Sequence, residues 1–138
     1  WTEAHIADSA EVLDPAALAR LASGNFFRAQ LQPHAASRWA WFDDAPIYTI
    51  WSRNRSNGAV DPDIQWQPEG ALLTRPRDAV TWRALNPAGC AFLDACAAGD
   101  TLAAAVQAAL DVDAAADLGR LMADLLDAGA FSRLHIFP

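Results

Sequence analysis

A chain of 138 residues suits one domain, or a small domain with a sizeable extension, and buries roughly two-thirds of its unfolded surface without help from metal or disulfide. Seventeen acidic residues against ten basic ones, all of them Arg, leave a net charge of −7. That sign disfavours nucleic acid, whose readers need a basic face to neutralise phosphates.

Along the chain, the first residue is Trp rather than Met, so a piece of a longer protein is expected. Trp1, Ala4 and His5 stand at helical spacing and read as the tail of a helix. Asp14-Pro15 opens a short helix, with Asp as N-cap and Pro at the first helical position, and Ser23-Gly24 stops it. Residues 26–31 read as a strand. After the break at Pro33-His34, residues 37–42 alternate, with Trp39 and Trp41 on one face of a second strand. Ile47, Ile50 and Trp51 follow i, i+3, i+4 spacing and predict a helix over 46–53. Residues 54–68, with Ser56-Asn57-Gly58 and Asp61-Pro62-Asp63, form a polar loop. It separates an N-terminal α/β extension, residues 1–68, from a module over 69–138.

The module begins with two strands, 70–75 and 79–85, joined by Pro76 to Asp78 as a turn. Three helices follow. Asn86-Pro87 starts the first, which ends near Gly99; Thr101 caps the second; Asp113 caps the third, which stops at Gly129. Leu118, Leu121, Met122, Leu125 and Leu126 make one apolar stripe on that last helix. Residues 130–137 read as a strand closing the sheet. The fold class is therefore α+β, a winged-helix-like module of a small antiparallel sheet plus three helices.

No catalytic constellation emerges. His5, His34 and His135 each stand alone, and Cys90 and Cys96 project to different faces of one helix, so no zinc set forms. Asp43-Asp44 is a solvated turn, and no glycine-rich phosphate loop is present. Free, buried thiols accord with a reducing compartment. No apolar run reaches the ~20 residues of a membrane span and no signal-peptide pattern is visible, so a cytoplasmic protein without a membrane partner is expected. Five of the six tryptophans lie between residues 39 and 82, more than a small core requires, which assigns some of them to an interface.

Two resemblances sharpen the case for binding. Leu85-Asn86-Pro87-Ala88-Gly89-Cys90-Ala91-Phe92-Leu93, then Ala98-Gly99-Asp100-Thr101, then the helix from Asp117 to Gly129, resemble the peptide chaperone of pyrroloquinoline quinone biosynthesis. That family typifies the RiPP recognition element, a winged-helix-like fold that holds the leader of a ribosomally made precursor peptide. The likeness covers roughly residues 69–131. Leu13-Asp14-Pro15-Ala16-Ala17-Leu18, Leu31-Gln32-Pro33-His34 and Ala45-Pro46-Ile47-Tyr48-Thr49-Ile50-Trp51 resemble the C-terminal region of the partner (C-type) proteins of methanobactin- and bufferin-type iron-dependent peptide-modifying oxygenases.

These resemblances imply a non-catalytic subunit that binds a leader peptide and forms a heterodimer with an iron-bearing TIM-barrel oxygenase. The enzyme would oxidise precursor cysteines, in methanobactins to an oxazolone with a neighbouring thioamide. No cofactor is expected in this chain, since the iron belongs to the partner enzyme. An extended leader adds as a strand to an open sheet edge. The expected edge is Val80, Thr81, Trp82 and Arg83, beside Leu118, Leu121, Met122 and Leu125. Arg77 and Arg83 are placed to meet acidic leader residues, and His34, Trp39, Trp41 and Trp51 to meet the enzyme. The rival readings are a winged-helix DNA-binding regulator, disfavoured by acidity, and a purely structural interaction domain.

Overall fold

The Pro76–Asp78 turn folds strand β3 (Glu69–Thr74) back on β4 (Thr81–Leu85), with Leu72 opposite Arg83 and Gly70 opposite Leu85. Asp78 carries the turn at φ 62°, a left-handed conformation that Asp tolerates better than most residues. The turn therefore extends further than its sequence suggests, and Val80 lies one residue outside the strand. Strand β2 (Arg38–Phe42) pairs antiparallel with the other side of β3, giving the order β2-β3-β4 with β4 at an edge. The computed structural model describes residues 1–56 and 63–138, so part of the expected polar loop falls outside the described residues.

Two expectations need correction here. The strand expected at 26–31 is β1 (Ala29–Pro33), because Arg28 N donates to Asn25 O and residues 26–28 are spent in a turn. The C-terminal strand, β5 (Phe131–Ile136), does not close the hairpin sheet. It pairs antiparallel with β1, placing Leu31 opposite Leu134, and the two make a separate sheet. The described residues thus form a mixed α+β fold with two small antiparallel sheets and six α-helices. Each sheet takes strands from both sides of residue 68, so backbone pairing crosses the boundary between extension and module.

The core lies between these sheets and a helical pair. Helix α1 (Thr2–Ile6) and α2 (Pro15–Ala19) are short, and α3 (Ile47–Arg55) precedes the described gap. Helix α4 (Pro87–Ala97) starts where Asn86 Oδ1 accepts from Gly89 N at 2.7 Å, and α5 (Leu102–Val112) where Thr101 Oγ1 accepts from Ala104 N. The two helices pack on each other and on β1, while α4 also reaches β2. Phe92 and Phe131 meet edge to face at 6.4 Å, and with Leu31, Leu72, Leu93, Leu102 and Leu125 they are fully buried. Each such side chain stabilises the fold by about 1.5–3 kcal/mol relative to exposure.

Helix α6 spans Leu118–Asp127, and its cap is Asp117 rather than the expected Asp113. Asp113 Oδ1 accepts from Ala115 N in a local turn, which ends the α5 segment without starting a helix. Asp117 Oδ1 accepts from Arg120 N at 3.0 Å and starts the next. Gly129 closes α6 at φ +70°, where an added Cβ would sit 2.9 Å from Pro76 Cβ. Only glycine fits there, and this packing fixes the hairpin turn against the end of α6.

Candidate functional site

Among the described residues β4 has a strand neighbour on one side only. Between the sheet and α6 lies a groove of about 340 Å³. Its apolar lining comes from Leu72 and Leu85 of the sheet and Leu121 and Leu125 of the helix. Alternation aims these sheet residues one way: Leu72, Arg83 and Leu85 share the face turned towards the helices, whereas Leu73, Trp82 and Ala84 share the other.

That alternation divides the residues expected to bind peptide. Arg83, Leu121 and Leu125 line the groove together. Trp82 points through the opposite face and packs edge-on against Trp51 at 4.7 Å, out of the groove's reach. Thr81 is exposed, with its Oγ1 3.1 Å from Thr74 Oγ1, and Val80 precedes the strand. Leu118 and Met122 are half-buried against the core and do not line the groove. Sequence reasoning missed Leu72, Leu85, Asp117, Arg120 and Asp124. The hairpin register carries the signal for the first two, and the three-residue step from Leu121 carries it for Asp124.

Electrostatics give the groove a tied mouth. Arg83 Nη1 donates to Asp124 O at 3.0 Å, and Nη2 lies 3.4 Å from Asp127 Oδ2. Arg83 is therefore paired with α6 in this structure. Arg120 Nε lies 3.9 Å from Asp124 Oδ2 one turn along the helix. All four side chains are at least 38% exposed, so each pair contributes little to stability and exchanges readily with water.

Of the residues expected to meet an enzyme, Trp39 and Trp51 line one cavity together, whereas His34 and Trp41 do not line it. His34 is buried, with Nε2 at 3.0 Å from Ala10 O and Nδ1 accepting from Ala36 N at 3.0 Å. Both ring nitrogens are occupied by backbone, so His34 is a structural tie and not a surface contact. Trp39 and Trp41 are half-buried against the core, and Trp39 Nε1 donates to Asp94 Oδ1 of α4 at 2.8 Å. Trp51 lies on the outer face of the sheet instead. There α3 is anchored by Glu69, whose carboxylate accepts from Thr49 N and Oγ1 at 2.8 Å each, a favourable place for an anion near a helix N-terminus. Trp51, Trp39, Trp1, Phe42, Ile47 and Leu73 line a second, mostly apolar cavity of about 330 Å³. The Arg55 guanidinium rests over Trp1 at 4.6 Å and Trp51 at 5.3 Å, and Arg75 donates to the carbonyls of His5, Ala7 and Asp8 at the end of α1.

The cysteines are chemically quiet. Burial, with Asp94 nearby, pushes the Cys90 thiol up to about 11; burial, with Asp100 nearby, pushes Cys96 up to about 12. Neither thiol offers a thiolate near neutral pH. Among the described residues no three His, Cys, Asp or Glu side chains gather as a metal site, and no helix is long and apolar enough to cross a membrane.

An open strand edge beside an amphipathic helix is the geometry that strand addition requires. Comparison with family models, curated proteins and solved structures gives no match that would place this chain in a family.

Proposed function

We propose that this chain is a non-catalytic partner subunit with a winged-helix-like RiPP recognition element, which binds the leader of a ribosomally made precursor peptide. In this reading the leader lies along β4 as an added strand and sets apolar side chains between the sheet and α6. The open β4 edge beside the Leu72, Leu85, Leu121 and Leu125 groove carries the reading. Main-chain hydrogen bonds supply affinity and the groove supplies register.

The partner enzyme is proposed from the resemblance: an iron-dependent TIM-barrel oxygenase that oxidises precursor cysteines, by methanobactin-type oxazolone and thioamide formation or a related bufferin-type modification. Its contact falls to the outer face, where Trp1 and Phe42 are 42% and 40% exposed beside Trp51. Aromatic side chains that become buried on association dominate interface energetics. Two faces of one sheet then serve two partners.

Co-expression of the tagged chain with the products of neighbouring genes, followed by purification and metal analysis, tests the proposal. Recovery of an iron protein together with peptide affinity is the expected result. Phe42→Asp should then lose the enzyme and keep the peptide, while Leu121→Asp should do the reverse. Recovery of the chain alone, with no affinity for any co-expressed peptide, would contradict the proposal.

A further inference from the structure

The peptide groove has one wall with a charge pattern of its own. Asp117, Asp124 and Asp127 follow one another on α6 at steps of seven and three residues, which places them along one stripe of the helix. Asp117 and Asp124 line the groove, and Asp127 stands at its mouth against Arg83. Among the described residues, Arg83 and Arg120 pair with this stripe, Arg83 with Asp127 and Arg120 with Asp124. The lining balances Asp117 and Asp124 against Arg83 and Arg120, and Asp127 at the mouth tips the balance to negative, within a chain of net charge −7.

Arg83 is the informative residue. It starts on β4 and crosses to the C-terminal half of α6, donating to a main-chain carbonyl and facing a carboxylate. A helix C-terminus favours cations, and Asp127 reinforces that preference. We infer that Arg83 holds the place of a ligand cation, and that the groove selects an extended peptide in which apolar side chains alternate with Lys or Arg. The inference rests on the peptide-binding reading above and specifies its ligand. Apolar side chains seat on Leu72, Leu85, Leu121 and Leu125, while a basic neighbour reaches Asp124 and Asp127. An acidic peptide would instead draw Arg83 away from Asp127 and meet the remaining carboxylates unpaired. Because the Arg83–Asp127 pair is solvent-exposed, 38% and 81% for the two side chains, a ligand cation exchanges with it at little cost.

Selection of a random decapeptide display library on the immobilised full chain tests this. The expected pool is rich in Leu, Val or Ile next to Lys or Arg. A selected peptide should bind about tenfold more tightly than its Lys/Arg→Glu counterpart at low ionic strength, with the ratio shrinking in salt. The double variant Asp124→Asn/Asp127→Asn, which alters only exposed carboxylates, should bring that ratio down to about twofold. Arg83→Met should tighten binding of the basic peptide about threefold by removing the internal occupant.

An acidic pool whose binding is lost in Leu121→Asp would overturn the inference and leave the groove reading standing. A basic preference unchanged in the double Asn variant would also overturn it, since the chain's overall field would then be the cause. No enrichment at all would overturn both.

Discussion

Helices α4 and α6 are of similar length and both begin on a side-chain cap, yet α4 buries Ala88, Gly89, Cys90, Phe92, Leu93, Ala95 and Cys96 while α6 buries Leu125 alone. The rest of the α6 apolar stripe is half-buried, and exposed Arg83 pairs tie its far end to β4. A helix with one fully buried side chain and a half-buried stripe opens locally at lower free energy than one sunk in the core. The contrast separates a buried scaffold helix from a helix that walls the groove beside the sheet. The helical pair α4 and α5 packs on β1 within the core, whereas α6 keeps most of its apolar stripe half-exposed.

Perturbing the scaffold should have the largest effect. Phe92→Ala should lower the unfolding free energy by about 3–5 kcal/mol, because it empties a site facing Phe131 in the centre of the core. Urea denaturation measures this, and a loss below that of Leu121→Ala would break the contrast. Gly129→Ala should cost about 1–3 kcal/mol, because Ala is strained at a left-handed φ and its Cβ would press on Pro76. Its effect on the midpoint should exceed that of any exposed substitution on α6.

Titration sharpens the comparison further. Unfolded thiols release protons near 9.0, whereas folded Cys90 and Cys96 hold theirs to about 11 and about 12. Between those values the unfolded chain binds fewer protons, so the stability from burying neutral thiols is full below pH 9 and declines as pH rises. Alkylation with iodoacetamide at pH 8 should be slow in the folded chain and fast in denaturant. Rapid labelling of Cys90 without unfolding would mean that α4 is no rigid scaffold. The smallest stability effect should come from Arg83→Met, under about 1 kcal/mol, because the pair it removes is exposed. Amide exchange should nonetheless quicken along α6 and not along α4.

Much of this architecture is written in local signals. Asn86-Pro87, Thr101 and Gly129 mark helix ends, and the Pro76–Asp78 turn between apolar runs marks the hairpin. What escaped was non-local. The pairing of β1 with β5 joins residues a hundred apart, and no periodicity within either strand distinguishes that partner from the edge of the hairpin sheet. Two aspartates, Asp113 and Asp117, compete as caps, and the choice depends on where α5 ends. In the groove, Leu121 and Leu125 were visible as helical stripe residues, and Arg83 as a residue of the edge strand. The side of the sheet on which Trp82 emerges depends on register, which a one-residue change in the turn would invert. His34 shows the same limit: the sequence marks a lone histidine after a proline, but only the fold brings Ala10 O and Ala36 N to its ring.

The most direct test is amide hydrogen exchange of the full chain with and without the tightest peptide from the library selection. Strand addition at β4 predicts new protection over Thr81–Leu85 and Leu118–Asp127, with α4 and α5 unchanged and the Trp1, Phe42 and Trp51 cavity still exchanging as before. Protection confined to that outer cavity, or spread over α4 and α5 with β4 untouched, would contradict the assignment of the groove.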